Sequence, residues 1–310
     1  MKSIEGVIPV MLTPFASDGS VDYAALKRLV NWYIDHQVDG LFAVCQSSEM
    51  QYLTLQERVN ITRCVVDEVA GRVPVMTSGH ISDDLDAQVN ELQSMAETGA
   101  DVLVLVTNHL DPKQQGSATF YESLNTILAS LPESLALGLY ECPAPYRRLL
   151  SDDELQYCAN SGRFVALKDV SCDLATVTHR VKLVANTPLH IINANAAIAY
   201  PAMQAGSTGF CGVFTNFHPE LYHWLYHQRD EDLSLADELS IFLSLSAVVE
   251  NLGYPKNAKI YHQLLNNHNF ESDYCRVIKD DVVAKYWALD VLLKQIKDGT
   301  ELYLNKIKNI

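Results

Sequence analysis

Lys168 ends the run Phe164-Val165-Ala166-Leu167-Lys168, in which four apolar residues lead to an ammonium group. Such a run reads as a short buried strand, with the lysine where an apolar interior meets water. Desolvation disfavours a charged amine, and the neutral amine adds to a ketone carbonyl. The competing possibilities are a solvated strand-end lysine or a structural ion pair with Asp169. Tyr140 ends a comparable run, ALGLYE (136–141). A phenol one strand from such a lysine can move protons to and from a carbinolamine, although it can equally fill a core. Gln46, Ser47 and Ser48, followed by Glu49, offer hydroxyls and successive backbone N–H groups that suit a small carboxylate. The same residues could simply form a polar, self-capping loop.

Histidines and a few other polar residues extend the set. His80 and His109 both fall at predicted strand ends, and imidazole titrates near neutrality. At least one of them is expected to line the pocket; the alternative is a loop histidine with no role. Cys211, in the last strand segment GFCGV (209–213), is a further candidate substrate contact. His223 and His227 could share a helical face as metal ligands, with His218 nearby. No HExxH carboxylate completes them, so a solvated helix face is the expectation, with no metal and no cofactor.

These residues need a frame. Eight strand-length apolar runs recur: 6–12, 40–45, 73–78, 101–106, 136–141, 164–168, 190–194 and 209–213. Between and after them lie amphipathic segments at 22–37, 54–69, 83–98, 118–130, 151–161, 173–186, 196–205 and 218–229. Thr54 with Glu57, and Ser151 with Glu154, have capping-box spacing. Gly40, Gly71 and Gly99 stand where helices should stop. Eight β–α units in series predict a (β/α)8 TIM barrel, whose chemistry sits at the C-terminal ends of the strands. An open doubly wound sheet is the alternative, but no GxGxxG follows the first strand. Segments 233–252, 256–267 and 281–298 read as helices. The expected organisation is therefore a catalytic barrel over 1–230 and a C-terminal helical region over 231–310.

The totals exclude several classes. A formal net charge of −15 argues against nucleic acid as a partner, because phosphate neutralisation needs clustered Lys and Arg. No stretch approaches the roughly 18 uninterrupted apolar residues of a membrane span. Pro9 and Pro14 break the N-terminal apolar stretch, so no secretory signal is expected. Seven cysteines, scattered and without a CxxC pair, suit reduced thiols in the cytoplasm.

The chain resembles the family of dihydrodipicolinate synthase and N-acetylneuraminate lyase, the pyruvate-dependent class I aldolases. The likeness rests on IPVMLTPF at the first strand and ETGAD before the fourth. LYECP stands for the family's Y-N-x-P, ALKD for its I-K-E/D, and QAGSTGFCGVFTN for its last-strand motif. It implies a barrel with C-terminal helices in a homo-oligomer, dimer or tetramer, and an imine formed between a lysine and pyruvate or another 2-keto acid. By position Lys168 is that lysine and Tyr140 the family tyrosine; Ser47 is the carboxylate contact, and Asn195 lies where relatives contact the distal part of the substrate.

The departures are specific. The family's G-[TS]-[TS]-G-E reads Cys45-Gln46-Ser47-Ser48-Glu49, so Gln46 replaces a relay hydroxyl and both glycines are gone. TNHL (107–110) lacks the tyrosine of T-P-Y-Y, and Pro145 stands where dihydrodipicolinate synthase has an arginine, although Arg147 and Arg148 follow. The leading expectation is a Schiff-base lyase or aldolase, with a pyruvate-like 2-keto acid and an aldehyde from a keto-deoxy sugar acid. A dihydrodipicolinate synthase-like condensation or a sugar-acid dehydratase would use the same imine. From other classes come a catalytically inactive 2-keto-acid binder and a glycosidase using Glu49, Glu141 or Asp169.

Overall fold

The computed structural model describes residues 4–310. Its strands are β1 (Gly6–Val7), β2 (Leu41–Phe42), β3 (Val75–Thr77), β4 (Val102–Val106), β5 (Ala136–Tyr140), β6 (Phe164–Asp169), β7 (His190–Asn193) and β8 (Gly209–Phe210). A helix follows each: α1 (Tyr23–Asp35), α2 (Leu55–Val69), α3 (Leu85–Ala96), α4 (Ser117–Ser130), α5 (Asp152–Asn160), α6 (Leu174–Leu183), α7 (Ala199–Gln204) and α8 (Pro219–His227). Then come α9 (Leu233–Ser246), α10 (Lys256–Leu264), α11 (Val282–Lys285) and α12 (Leu289–Ile307).

All strand pairs are parallel and run in chain order from β2 to β8, with β8 returning to β1. The ring closes beyond β1, where Val10 bridges Phe42 in parallel. There Phe42 N–H donates to the Pro9 carbonyl at 2.9 Å, and Met11 N–H donates to the Phe42 carbonyl at 3.0 Å. The fold is the expected (β/α)8 barrel. Only two residues of the predicted 6–12 strand form a regular ladder, because Pro9 has no N–H to contribute and the chain turns from β8 to β2 at that point.

Strand alternation explains what faces the barrel. In β4, Val102, Val104 and Val106 join the inner core, whereas Leu103 and Leu105 pack with Leu92, Phe120 and Leu124 of the surrounding helices. In β5, Ala136 and Tyr140 face inward while Leu137 and Leu139 face outward. Ala166 of β6 joins the inner core and Leu167 the outer one. Lys168, next in alternation, is therefore on the inner side. The register sets Tyr140 beside Lys168, with Val106 and Ile192 as their outer neighbours in the same row.

Both capping boxes form, at Thr54 with Glu57 and at Ser151 with Glu154. Gly71 and Gly99 take the left-handed conformation expected at helix ends. The end of α1 differs, since Gln37 (φ 62°) makes the left-handed turn before Gly40 is reached. The predicted 281–298 helix is two helices. Asp281 caps the short α11, Tyr286 is extended, and Ala288 (φ 61°) reverses the chain before α12 runs on to Ile307. The predicted 233–252 helix tightens into a 3-10 turn at Ala247–Asn251.

The C-terminal helices are tied to the barrel by a buried ion pair. Lys259 Nζ of α10 lies 2.7 Å from Glu49 Oε1, with both side chains fully buried. Glu49 Oε2 accepts from the backbone N–H groups of Arg276 (2.5 Å) and Val277 (2.9 Å), and Lys259 also donates to the Tyr274 carbonyl. A buried carboxylate stripped of its cation is costly, so Lys259→Met is expected to lower the unfolding free energy by about 3–5 kcal/mol in chemical denaturation.

Candidate active site

The C-terminal ends of the strands open onto a cavity of about 550 Å³. Lys168, Tyr140, Gln46, Ser47, His109 and Cys211 all line it, together with Glu250 and Tyr254 from beyond the barrel. Lys168 is 7% exposed, and its Nζ sits 4.4 Å from the Tyr140 ring centroid and 5.7 Å from that of Phe42. Asp169 does not pair with it. Successive strand residues point to opposite faces, and Asp169 is turned to Arg180 of α6 at 2.5 Å, where Glu141 also binds the same guanidinium at 2.7 Å. Among the described residues Lys168 makes no ion pair.

The carboxylates weighed for glycoside hydrolysis are thus all committed elsewhere: Glu141 and Asp169 to Arg180, and Glu49 to Lys259. No free pair of them faces the cavity, and that reading is set aside.

Around Lys168 the polar groups are unusual. Tyr140 Oη donates to Gln46 Oε1 at 3.4 Å, and Cys142 Sγ lies 3.5 Å from the same oxygen. Burial, with Cys142 and Cys45 nearby, pushes the Tyr140 phenol well above its ordinary range, so it is held as the protonated, donating form. An amide oxygen accepts that hydrogen bond but cannot pass the proton on. A second phenol is present. The Tyr254 hydroxyl receives a hydrogen bond from Asn216 Nδ2 at 3.0 Å and has the Ser47 hydroxyl as its other partner. Asn216 Oδ1 in turn accepts from Tyr33. Burial pushes the Tyr254 phenol well up as well, the bond to Ser47 working against it. Partial desolvation at the cavity wall raises the carboxyl of Glu250, a residue otherwise exposed, and the nearby Lys168 pulls it back.

Several predicted residues lie elsewhere. Ser48 is fully buried and outside the cavity lining. Its Oγ accepts from Cys45 N–H and donates to the Cys45 carbonyl, both at 2.7 Å, while its own carbonyl accepts from Thr13. Ser48 thus pins the loop, and at Cys45 the extended backbone (φ −151°) needs no glycine. Asn195 is also outside the lining; its side chain caps the next turn by accepting from Ala197 N–H at 2.9 Å.

The two histidines divide. His80 is completely buried, with Nε2 accepting from Val106 N–H at 2.6 Å and Nδ1 3.1 Å from Gln88 Oε1. It braces β4 and does not reach the cavity. His109 does line it; Nδ1 is 3.5 Å from Asp83, and Nε2 is buried without a hydrogen-bond partner. Burial lowers its pKa, so the neutral imidazole is favoured.

Some contributors carry no motif. Asn108 Nδ2 bonds the carbonyls of Cys142 (3.0 Å), Ala144 (2.9 Å) and Tyr146 (2.7 Å), shaping the Pro143–Pro145 wall. Glu250 and Tyr254 come from a segment that reads only as helix, where the sole sequence hint is the Gly253-Tyr254-Pro255 break. Arg147 and Arg148 bind backbone carbonyls and the Glu154–Asp111 pair respectively, and neither lines the cavity.

A lysine next to a phenol at the C-terminal mouth of a (β/α)8 barrel has the arrangement of an imine-forming barrel enzyme. The chain belongs to the dihydrodipicolinate synthetase family, whose profile matches residues 3–260. It is therefore a lyase of that family, whose members are pyruvate-dependent class I lyases and synthases. A 4-hydroxy-tetrahydrodipicolinate synthase of Coxiella burnetii is 28% identical over 219 residues, 70% of this chain and 72% of that one. Among solved structures, a Bacillus anthracis dihydrodipicolinate synthase superposes with a TM-score of 0.82 at 23% identity, covering 96% of this chain and 98% of its own. A prophage protein of the same family from E. coli K12, in complex with pyruvate, gives 0.81 at 23% identity, covering 95% and 99%. All seven cysteines are free thiols, and no helix among the described residues is long and apolar enough to cross a membrane.

His80, His218 and His262 are fully buried, and burial brings each down to about 3. All three are neutral in the folded protein and charge on unfolding below about pH 6.5. Their stability contribution is complete above that pH and lost as pH falls towards 3. Around pH 5 these three groups alone take up as many as three extra protons on unfolding, a contribution of at most about 4 kcal/mol per pH unit. Denaturant titrations across that interval should show stability dropping steeply with acid.

Proposed function

We propose that this enzyme makes or breaks a carbon–carbon bond in a 2-keto acid through an imine on Lys168, with pyruvate and a neutral hydroxyaldehyde of the sugar-acid type as the smaller partners. The observation that carries the reading is the β5–β6 register, which places the Lys168 amine over the Tyr140 ring at the cavity floor. In the cleavage direction the Lys168 Nζ lone pair adds to the C2 carbonyl. The carbinolamine oxygen then takes a proton from Tyr140 and leaves as water. The Tyr140 phenolate left by that step takes the C4 hydroxyl proton as the C3–C4 electron pair passes into the protonated imine; the aldehyde departs, and the re-formed phenol returns that proton to C3 of the enamine. Water then hydrolyses the pyruvyl imine and frees the amine.

Ser47, which lines the cavity, is assigned the carboxylate through its hydroxyl, the backbone N–H groups after it being spent on the loop's own turns. Because Gln46 cannot relay a proton, the exchange with solvent is assigned to Tyr254 and Glu250, whose phenol and carboxyl share the cavity with Lys168. In this reading residues 1–230 carry the imine chemistry and 231–310 complete its proton path.

Electrostatics support the choice of aldehyde. The ionisable lining groups other than Lys168 and His109 are Glu49, Asp83 and Glu250 among the acids, and no arginine faces the cavity. A partner bearing its own carboxylate would meet Asp83 and Glu250, so a neutral polyol aldehyde is favoured over the substrate of the lysine-biosynthetic reaction.

Incubation with pyruvate and borohydride should add a reduced pyruvyl group to Lys168, found by intact mass and peptide mapping; no adduct with pyruvate or longer 2-keto acids would overturn the imine. A panel of keto-deoxy sugar acids should release pyruvate, whereas loss of water alone would indicate a dehydratase and no turnover a binder. Tyr140→Phe should lower kcat by about 10²–10⁴-fold, and Glu250→Gln or Tyr254→Phe by a smaller factor, with the Lys168 adduct still forming.

A further inference from the structure

The N-terminal end of the barrel, opposite the Lys168 cavity, carries a convergence of ligand-type side chains that the imine chemistry does not use. His223 and His227 stand one turn apart on α8, with ring centroids 4.4 Å apart. The carboxylate missing from their local sequence is supplied by Asp39, in the turn that leads into β2. Asp39 Oδ1 lies 2.9 Å from His227 Nε2, and Asp39 Oδ2 lies 3.7 Å from His223 Nδ1. One ligand atom from each of the three residues falls within 4.8 Å of the other two. Asp39, His227, Tyr226 and Glu5 also line a surface depression at this spot.

We infer that Asp39, His223 and His227 form a binding site for a first-row divalent cation of the zinc type. Two imidazole nitrogens and one carboxylate oxygen are the donor set that zinc takes, with water or the neighbouring Glu5 available for a fourth position. Metal–ligand bonds of about 2.0–2.2 Å in tetrahedral array put ligand atoms about 3.3 Å apart. The present spacing brackets that value, so side-chain rotation suffices and no backbone shift is needed.

The carboxylate is already oriented. Val7 N–H of β1 donates to Asp39 Oδ2 at 2.7 Å, which fixes the plane of the group as an outer-shell bond does in metal sites. Gly6, in the left-handed conformation (φ 86°), makes room for it; a Cβ there would come within 2.2 Å of Asp39 Oδ2. His223 is only one-fifth exposed, and its Nδ1 has no hydrogen-bond partner. A net charge of −15 raises the local concentration of cations.

The site joins α8 to the turn between α1 and β2, and through Val7 to β1. The ion would therefore act as a clip across the seam where β1 meets β2. It is far from the reacting lysine by topology, since it sits at the opposite ends of the strands.

The test uses tag-free, chelator-treated protein and three metals: Zn²⁺ by calorimetry, Co²⁺ by its visible absorption, and Mg²⁺ as a hard-cation control. One Zn²⁺ per chain, a Co²⁺ spectrum with nitrogen and oxygen ligation, and no Mg²⁺ binding at the same concentrations are expected. At a hundredfold excess over Kd, Zn²⁺ should raise Tm by about 5 °C. The double variant His223→Ala/His227→Ala, which alters only the outer helix face, should lose at least tenfold in affinity and all of the Tm rise while keeping its far-ultraviolet spectrum and its Lys168 adduct. Asp39→Asn should weaken binding less. Absence of stoichiometric Zn²⁺ binding, or binding unchanged in the double variant, would overturn the assignment.

Discussion

The ion pair between Glu49 and Lys259 holds two distant parts of the chain in one geometry. Glu49 ends the loop that presents Gln46 and Ser47, and Lys259 belongs to the helix that begins just after Tyr254. Neither charge has access to water, so each depends on the other and on the backbone groups around it. Removing the C-terminal helices would therefore leave the loop carboxylate unsatisfied at the edge of the cavity. The cavity is best understood as the joint product of barrel and appended helices.

This construction explains how the departures in the sequence are accommodated. Ser48 takes a family glycine position and uses its hydroxyl to close the loop on Cys45. Gln46, where the resemblance would have a hydroxyl, accepts from the Tyr140 phenol at 3.4 Å. TNHL carries no tyrosine, and a phenol, Tyr254, lines the cavity from beyond the barrel. Asn108, within TNHL, has become a scaffold for the opposite wall.

The barrel was legible because its signals are local. Strand-length apolar runs, capping boxes at Thr54 and Ser151, and helical periodicity each act over a few residues; strand ends bring Lys168 and Tyr140 to the barrel mouth, but only the family resemblance singled them out for imine chemistry. What was hidden depends on side-chain direction and on long-range contact. His80 and His109 look equivalent in sequence, yet one faces the β4 backbone and the other the cavity. Asn195 stands on the expected loop but spends its side chain on a cap. Tyr254 and Glu250 reach the site only after the C-terminal helices have docked, and no spacing near them records that. Asp39 likewise joins His223 and His227 only through the closure of the barrel.

The acidic side chains around the cavity have a kinetic meaning. Glu250 and Asp83 line the path to Lys168 on a protein of strongly negative charge. An anionic substrate of the kind proposed must climb a repulsive potential before it meets Lys168. Added salt flattens such a barrier, with a Debye length of about 8 Å at physiological ionic strength. Encounter with the proposed 2-keto acid is consequently a process that salt accelerates, the reverse of the steering seen where charges attract.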